Sequence, residues 1–510
     1  MSNSGRIAKN TIYLYFRSLF VLLISLYTSR VILRTLGVVD YGIYNVVGGV
    51  IGMLSFLNSN MQATYQRYFN VEMGRGNDAG VMSLLRSSLA TQLILAAVVI
   101  VIAETLGLWF VKHKLVIPPE RMEAALWVYQ FAIISFFITI FSAPFGALIT
   151  AYEHLGAFAV ISIIDAVLKL GIVLLLAYVQ HDRLVAYAFM LLFISLLDLV
   201  FYVFYCKKRI PATTIGLNWN KDNLKSMFSF SGWSIIDLLS QTLKTQGINI
   251  VLNMFFGPVV NAARGLSYQI NNAVDQFIFS FQTSFRPQLT KSYASGDYNY
   301  MIRLYYSATK ISYFLIFTIS LPIILETPYI LHLWLGDNVP AYTVVFTRLV
   351  LLIAFVSAFA NPTSCIAYAT GNIKWFSIIV SGLNLMILPI AYIVLKLGYG
   401  PVSAFVVSLV MSILVQLTRI IVTSKLTVID LYDYFLHVIL PTFAYSLLTP
   451  WIAYLIIRTM PQGLGRLVLT CILSVLSSLL FVWIVGLNKQ EKNLALNKLK
   501  SFKKIKNTTR

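Results

Sequence analysis

The sequence has little charge: 11% of its 510 residues are Asp, Glu, Lys or Arg, and only 19 are acidic. A soluble domain carries about 25% charged residues, so a water-facing surface for a chain of this length is missing and a soluble globular protein is excluded. Cysteine is also scarce. Cys206, Cys365 and Cys471 stand alone within or beside apolar segments, which supports neither a disulfide framework nor a zinc site and leaves them as packing residues. The five histidines show no ligand spacing. There is no GxxxxGK[ST] phosphate loop, no HExxH and no CxxC pair, so P-loop ATP hydrolysis and the common zinc chemistries are absent. Nor is there a large polar loop of the kind a membrane-bound glycosyltransferase, ligase or polymerase displays, the longest outside connection being about a dozen residues around KHKLVIPPERM. The expectation is a protein without enzymatic chemistry and without a metal or organic cofactor.

What is abundant is apolar sequence: 58% of the residues are hydrophobic and the mean hydropathy is +0.78. Runs of about 20 apolar residues, the length that crosses a bilayer as a helix, recur almost without break from Thr11 to Leu487. Six lie between 11 and 206, six between 229 and 424, and two between 434 and 486. The fold class expected is therefore an all-α polytopic membrane protein of about 14 transmembrane helices. Its division is 1–210 as an N-lobe, 211–430 as a C-lobe, 431–487 as two additional helices and 488–510 as a basic tail. The polar connection KKRIPATTIGLNWNKDNLKSMF, from Lys207 to Phe228, marks the boundary between the lobes.

The formal charge of +20 sits mainly in short connections and in the tail, which is topology and not a nucleic-acid footprint. With the N-terminus inside, the inner connections hold Arg6, Lys9, Arg75, Lys207, Lys208, Arg209, Lys291 and Lys425 as well as the tail, against a sparser outer set such as Lys112, Arg121 and Arg183. The positive-inside rule then puts both termini in the cytoplasm, which also requires an even number of spans. The last two helices carry few polar residues and are expected to pack at the periphery.

A weak internal repeat runs through the chain. AYEHLGAFAVISIIDAVLKLGIVLLL, from Ala151, echoes ATGNIKWFSIIVSGLNLMILPIAYIV, from Ala369; Gly37 to Asn45 echoes Gly257 to Gly265. Parallel repeats of this kind fit two six-helix lobes with a substrate site between them.

Polar residues inside the apolar runs concentrate in helices one, two, seven and eight. Helix two holds Asn45, Gln62 and Arg67. Helix seven holds Asp237, Gln241, Lys244, Gln246, Asn249 and Asn253. In helix eight Asn261, Arg264, Tyr268, Asn272, Asp275, Gln282 and Arg286 recur on one face. An arginine at mid-membrane costs about 2.5 to 3.5 kcal/mol on insertion scales, so such residues belong where they meet a partner or a wet cavity. Arg30, Arg34, Arg67, Lys244, Arg264 and Arg286, with Asn45, Gln62, Tyr268 and Asn272, are the candidate lining of an anion-binding cleft, and Asp237 and Asp275 are the candidate counter-charges or ion ligands. Arginine suits a phosphate because its guanidinium forms bidentate hydrogen bonds. For Arg67 and Arg286, near helix ends, snorkelling to the headgroups is an equal alternative, and Arg34 could do the same at the outer face. Asp165 and Lys169, at i and i+4, are expected to neutralise each other.

The opening TIYLYFRSLFVLLISLYTSRVILRTLGVVDYGIYNVVGGV, with Leu36, Gly37, Asp40, Tyr41, Gly42 and Tyr44 in its first turn, resembles the bacterial polysaccharide-export flippases, the Wzx-type O-antigen transporters of the multidrug/oligosaccharidyl-lipid/polysaccharide superfamily. AYEHLGAF and AYATGNIKWF are similar to the same family, and the six-six-two helix count extends the resemblance over essentially the whole chain. It implies a fold like that of multidrug (MATE-like) exporters and lipid II flippases. The implied substrate is an undecaprenyl-diphosphate-linked oligosaccharide, the repeat unit of an O-antigen, capsule or exopolysaccharide, moved across the bacterial inner membrane, with membrane lipids and other polysaccharide-assembly proteins as partners. It further implies arginines of helices one, two and eight around the diphosphate, here Arg30, Arg67, Arg264 and Arg286. Coupling to H+, to Na+ or to the membrane potential stays open. The rivals are an exporter of small cationic drugs, which would want a cleft of acids and aromatics, and a membrane-embedded glycan polymerase.

Overall fold

A computed structural model describes residues 3–210, 213, 215–371, 374–489 and 491–493; side chains are described for these except 3–16, 59, 229–237, 280, 283 and 284. The basic tail beyond residue 493 and the side chain of Asp237 therefore lie outside the described residues. Among them the secondary structure is helical, with no strand.

The first ten helices are α1 (Asn3–Gly52), α2 (Ser55–Gly74), α3 (Asp78–Ile102), α4 (Leu108–His113), α5 (Met122–Ala151), α6 (Leu155–Leu176), α7 (Arg183–Arg209), α8 (Lys221–Thr242), α9 (Ile248–Phe256) and α10 (Pro258–Ala294). The remainder are α11 (Tyr298–Leu325), α12 (Thr327–Leu335), α13 (Thr343–Ser357), α14 (Ala360–Ala369), α15 (Lys374–Lys396), α16 (Val402–Leu426), α17 (Leu431–Tyr434), α18 (Leu440–Leu448), α19 (Pro450–Thr459) and α20 (Leu464–Phe481). Eleven helical segments of the described residues are long and apolar enough to cross a membrane. The expected helices two, seven and eight are helical as well but too polar to join that set, and adding them gives about fourteen crossings. The chain is a multi-pass membrane protein.

Several boundaries differ from the sequence reading for local reasons. The expected first and second helices run together as α1, turned at Gly37 by a left-handed φ of 81° that glycine alone adopts without cost. The expected helix two then pauses at Met53 and Leu54 before resuming as α2, just beyond Gly48, Gly49 and Gly52, which weaken a helix interior. The apolar run at 305–335, long enough in the sequence to hide a break at Pro322 or Pro328, does break, at Glu326 between α11 and α12, where Pro328 enters near the start of a new helix. Polar side chains start the helices at their loop ends. Asn77 accepts from Gly80 N (2.9 Å), Asp182 from Leu184 N (3.0 Å) and Asp297 from Tyr300 N (3.1 Å), each satisfying a backbone donor that the first turn leaves open.

The chain forms two compact units. One comprises Met1–Leu266, Asp337–Tyr342 and Asn384–Ala404; the other comprises Ser267–Gly336, Thr343–Leu383 and Phe405–Arg510. In the first, Tyr65, Phe69, Leu85, Phe145 and Leu148 pack between α2, α3 and α5, and Ile43, Val47, Val128, Tyr129 and Leu184 form a second apolar cluster. In the second, Phe314, Phe317, Leu351, Phe355 and Tyr445 pack α11 against α13 and α18.

The last two crossings are mostly exposed, as the expected peripheral packing requires, but their inner faces are polar. Thr442, Thr449, Thr470, Ser474, Ser477 and Ser478 are all buried. Arg466 of α20 donates to Glu326 at 2.8 Å, with the glutamate fully buried. Tyr313 of α11 and Ser446 of α18 share a 2.6 Å hydrogen bond. The hydroxyl contacts among these are what a count of charged and amide residues overlooks.

Candidate functional site

In the first unit α1 sorts its residues by face. Thr28, Ser29, Ile32 and Leu33 are buried, whereas Leu23, Tyr27, Arg30 and Arg34 are exposed. The exposed set follows helical spacing before the Gly37 turn, so both guanidiniums stand on one stripe beside an aromatic ring. On α2 the same sorting buries Met61, Thr64, Tyr65 and Phe69 and exposes Ala63, Arg67 and Asn70; Arg67 lies over its neighbour's ring, Tyr68, at 5.6 Å. Gln62 is half-buried and sits against Gly146 of α5, a β-carbon there falling 3.1 Å from its amide nitrogen.

Other candidates go elsewhere. Between α8 and α9 the helix widens into a π turn at Leu243–Gly247, which holds Lys244 half-buried. Arg264 is only 6% exposed and donates to the Thr245 carbonyl of that turn. A mid-membrane arginine aimed at a backbone carbonyl holds α10 to the wide turn, a use that the repeat spacing could not reveal. Asn45 donates to Tyr41 O at 2.7 Å and accepts, through its own carbonyl, from Asn249 Nδ2 at 3.1 Å. In the second unit Tyr268 is half-buried, while Asn272, Asp275 and Arg286 are exposed along α10. Asp275 accepts from Asn271 at 2.6 Å. Gln282 turns inward, 5% exposed, to Ala358 O at 3.2 Å and Asn361 at 2.9 Å. The expected stripe on helix eight thus divides into buried structural amides and an exposed set.

Two ionic clusters of the first unit were only half legible. Lys169 meets Asp165 at 2.8 Å, the neutralising pair that the i, i+4 spacing suggested. Beside it a cavity of about 230 Å³ is lined by Arg17, Asp165, Asp198 and Tyr202, so two acids and two bases from three helices share one neighbourhood. At the loop end of the unit, Arg121 donates to both oxygens of Asp40 (2.8 and 2.6 Å) and to both oxygens of Asp182. This clasp joins the turn after Gly37 to the starts of α5 and α7, and it explains the acid in the Leu36–Tyr44 motif. Partial burial would raise the Asp182 carboxyl, but hydrogen bonds from Arg121, Val185 N and Leu184 N outweigh it and hold the group below the ordinary carboxylate range.

No protein-family model and no curated protein matches the sequence. Solved structures do match in fold. The lipid II flippase MurJ in an inward closed conformation superimposes with a TM-score of 0.70 at 13% identity, covering 94% of this chain and 98% of that one. A multidrug resistance MATE family transporter of the MOP superfamily, inward-facing, gives 0.67 at 14% identity over 80% of this chain and 97% of that one. A MOP superfamily transporter from Pyrococcus furiosus, noted for the reverse polarity of its binding pocket, gives 0.51 at 15% identity, covering 82% and 92%. The chain has the fold of that superfamily.

Proposed function

We propose that the chain is a flippase that carries an undecaprenyl-diphosphate-linked oligosaccharide, the repeat unit of a surface polysaccharide, across the bacterial inner membrane by alternating access, with both termini in the cytoplasm. The observation that carries this reading is the exposed stripe of α1, with Arg30 and Arg34 beside Tyr27 on a membrane-spanning helix. A lipid-facing pair would cost about 2.5 to 3.5 kcal/mol per arginine. A diphosphate instead repays the exposure with bidentate, charge-assisted hydrogen bonds. Arg67 and Arg286 are the further exposed cations of the set, and the exposed or half-buried amides and phenol of Gln62, Tyr268 and Asn272 are donors and acceptors for sugar hydroxyls. Arg264, engaged with Thr245 O, supports the site's frame.

The fold fits this cargo as well as it fits a multidrug carrier, so the sign of the exposed face decides: cations repel cationic drugs. Alternating access would expose the site to each side of the membrane in turn. Moving about two negative charges outward, with the interior negative, is favoured by about 2.3 kcal/mol per charge per 100 mV, which supplies a driving force without a coupled ion.

The test is Arg30→Glu with Arg34→Glu in cells lacking the native copy. Loss of surface glycan, with lipid-linked units accumulating inside and the variant at normal abundance in the membrane, is expected. Undiminished surface glycan would remove the diphosphate role. Short unpolymerised chains at the surface would indicate a polymerase, and drug sensitivity with intact glycan a drug exporter.

A further inference from the structure

Where α5 and α7 begin, within the first unit, their faces do not close on each other. A cavity of about 530 Å³ opens there, lined by residues that include Glu120, Glu123, Trp127, Phe131, His181 and Phe189. Its volume falls in the range of small-ligand sites, about 300 to 1,000 Å³. Arg121 binds Asp40, just beyond the Gly37 turn, which fixes this end of α5 on the membrane face opposite the start of α1.

Helical spacing builds the cavity. Residues 120, 123, 127 and 131 recur at intervals of three and four down the start of α5, and 182, 185 and 189 do the same on α7. Two further lining residues, Ala124 and Ala186, are small and leave depth between their bulkier neighbours. Trp127 stacks on Phe131 with ring centroids 5.7 Å apart, and Phe131 meets Phe189 edge to face at 5.6 Å. The rings thus form a continuous apolar wall. It extends one turn further to Ile134 and Phe193, both exposed on membrane-spanning segments.

The mouth has the opposite character. The Glu120 and Glu123 carboxylates are exposed and make no hydrogen bond or ion pair with the described residues. Acids in a first turn suit the helix macrodipole, and a tryptophan near a span end suits the headgroup region. Neither preference accounts for a cavity that joins the two. An anionic mouth over an apolar wall repels lipid diphosphates and anionic phospholipids, and it fits an amphiphile with a cationic head.

The geometry points to a binding site for a phospholipid with a primary-amine headgroup, a phosphatidylethanolamine, in the leaflet on the side of the Gly37 turn. Its ammonium carries three donors, for which Glu120 and Glu123 are charged acceptors and the face of Trp127 a cation–π surface. The exposed imidazole of His181 offers an N–H to the lipid phosphate, and an acyl chain lies along Phe131 and Phe189. A choline headgroup keeps the charge but has no N–H to donate, so it binds less tightly. The site shares no residue with the exposed arginine set of α1 and α2.

The test titrates full-length protein in detergent with dioctanoyl phosphatidylethanolamine, and separately with the phosphatidylcholine and phosphatidylglycerol of the same chains, reading bound lipid by native mass spectrometry. One phosphatidylethanolamine per chain is expected to bind about tenfold tighter than phosphatidylglycerol, with phosphatidylcholine between them. Glu120→Gln with Glu123→Gln should weaken phosphatidylethanolamine about tenfold without weakening phosphatidylglycerol, and Trp127→Leu should weaken it about threefold. Trp451→Leu, which removes an exposed tryptophan of the other unit, should leave it unchanged. The proposal is overturned if phosphatidylglycerol binds as tightly as phosphatidylethanolamine, if the paired glutamine variant holds phosphatidylethanolamine as the parent does, or if the two tryptophan variants lose it equally. Because no transport is read, the result stands apart from the flippase reading.

Discussion

A glycine–asparagine seam of the first unit, where Asn249 Nδ2 donates to Asn45 O at 3.1 Å and Asn253 exchanges hydrogen bonds with the backbone of Val116 at 2.8 and 3.3 Å, and the packing of α11 against the last helices in the second both put polar groups deep in an apolar protein, but with opposite chemistry. Along the seam the groups are neutral amides. In the second unit they are ions. Lys310, 3% exposed on α11, donates to Glu491 at 2.7 Å, and that carboxylate also accepts from Ser307 and from Asn488 N at 2.8 Å; Glu326 and Arg466 make a second such pair. Interhelical hydrogen bonds in membrane proteins average about 0.6 kcal/mol, so the three that cross the seam amount to about 2 kcal/mol. Breaking a buried ion pair by removing one partner costs about 3 to 5 kcal/mol. Of the two sets of polar contacts, the amides are therefore the weaker.

The largest effect that would sharpen this contrast is Lys310→Met, which strands Glu491 and is expected to cost about 3 to 5 kcal/mol, read as a fall in the unfolding midpoint in detergent. Lys310→Met with Glu491→Leu should recover most of that loss; a double variant as unstable as the single one would show that packing and not charge holds the tail segment. Glu326→Gln keeps hydrogen-bonding groups for Arg466 and Thr470, so a smaller loss of about 1 to 3 kcal/mol is expected. Asn253→Ala, in the seam, should cost about 1 kcal/mol while raising the amide exchange rate of Val116. A loss as large as that of Lys310→Met would break the comparison.

The smallest effect concerns pH. The Asp182 carboxyl is held below its unfolded value, against the pull of burial, by Arg121 and two backbone donors. Its contribution is therefore complete above the ordinary aspartate pKa of about 3.9 and is lost as pH falls through the lower folded value. Because the pair is partly exposed, at 24% and 33%, the contribution is below about 1 kcal/mol. Comparing acid unfolding of the parent with Asp182→Asn checks it, and the variant should lack that part of the pH dependence.

Much of the fold was legible before any coordinates. The length and spacing of apolar runs gave the helices, and the failure of helices two, seven and eight to look apolar showed where the polar residues concentrate. The echo between Gly37 and Gly257 was visible as letters but not as geometry: sequence could not say that both glycines take left-handed φ or that the segments they open meet. The candidate site was legible by residue type and not by direction. Arg30 and Arg264 looked alike as intramembrane cations, yet one is exposed on α1 and the other is buried against Thr245 O, because a helix face becomes an interior or a surface only when a neighbour packs on it. The missed features, Glu326 with Arg466 and Lys310 with Glu491, join residues 140 and 181 positions apart, and no local period encodes such a pairing.

By itself, then, the sequence determined the solvent, the helix count and the concentration of basic and amide residues, since transfer of side chains between water and lipid depends on composition alone. Tertiary structure decided which of those polar groups bond one another and which stay exposed. That choice depends on directions and distances between helices that close packing sets, and a one-dimensional pattern does not contain them.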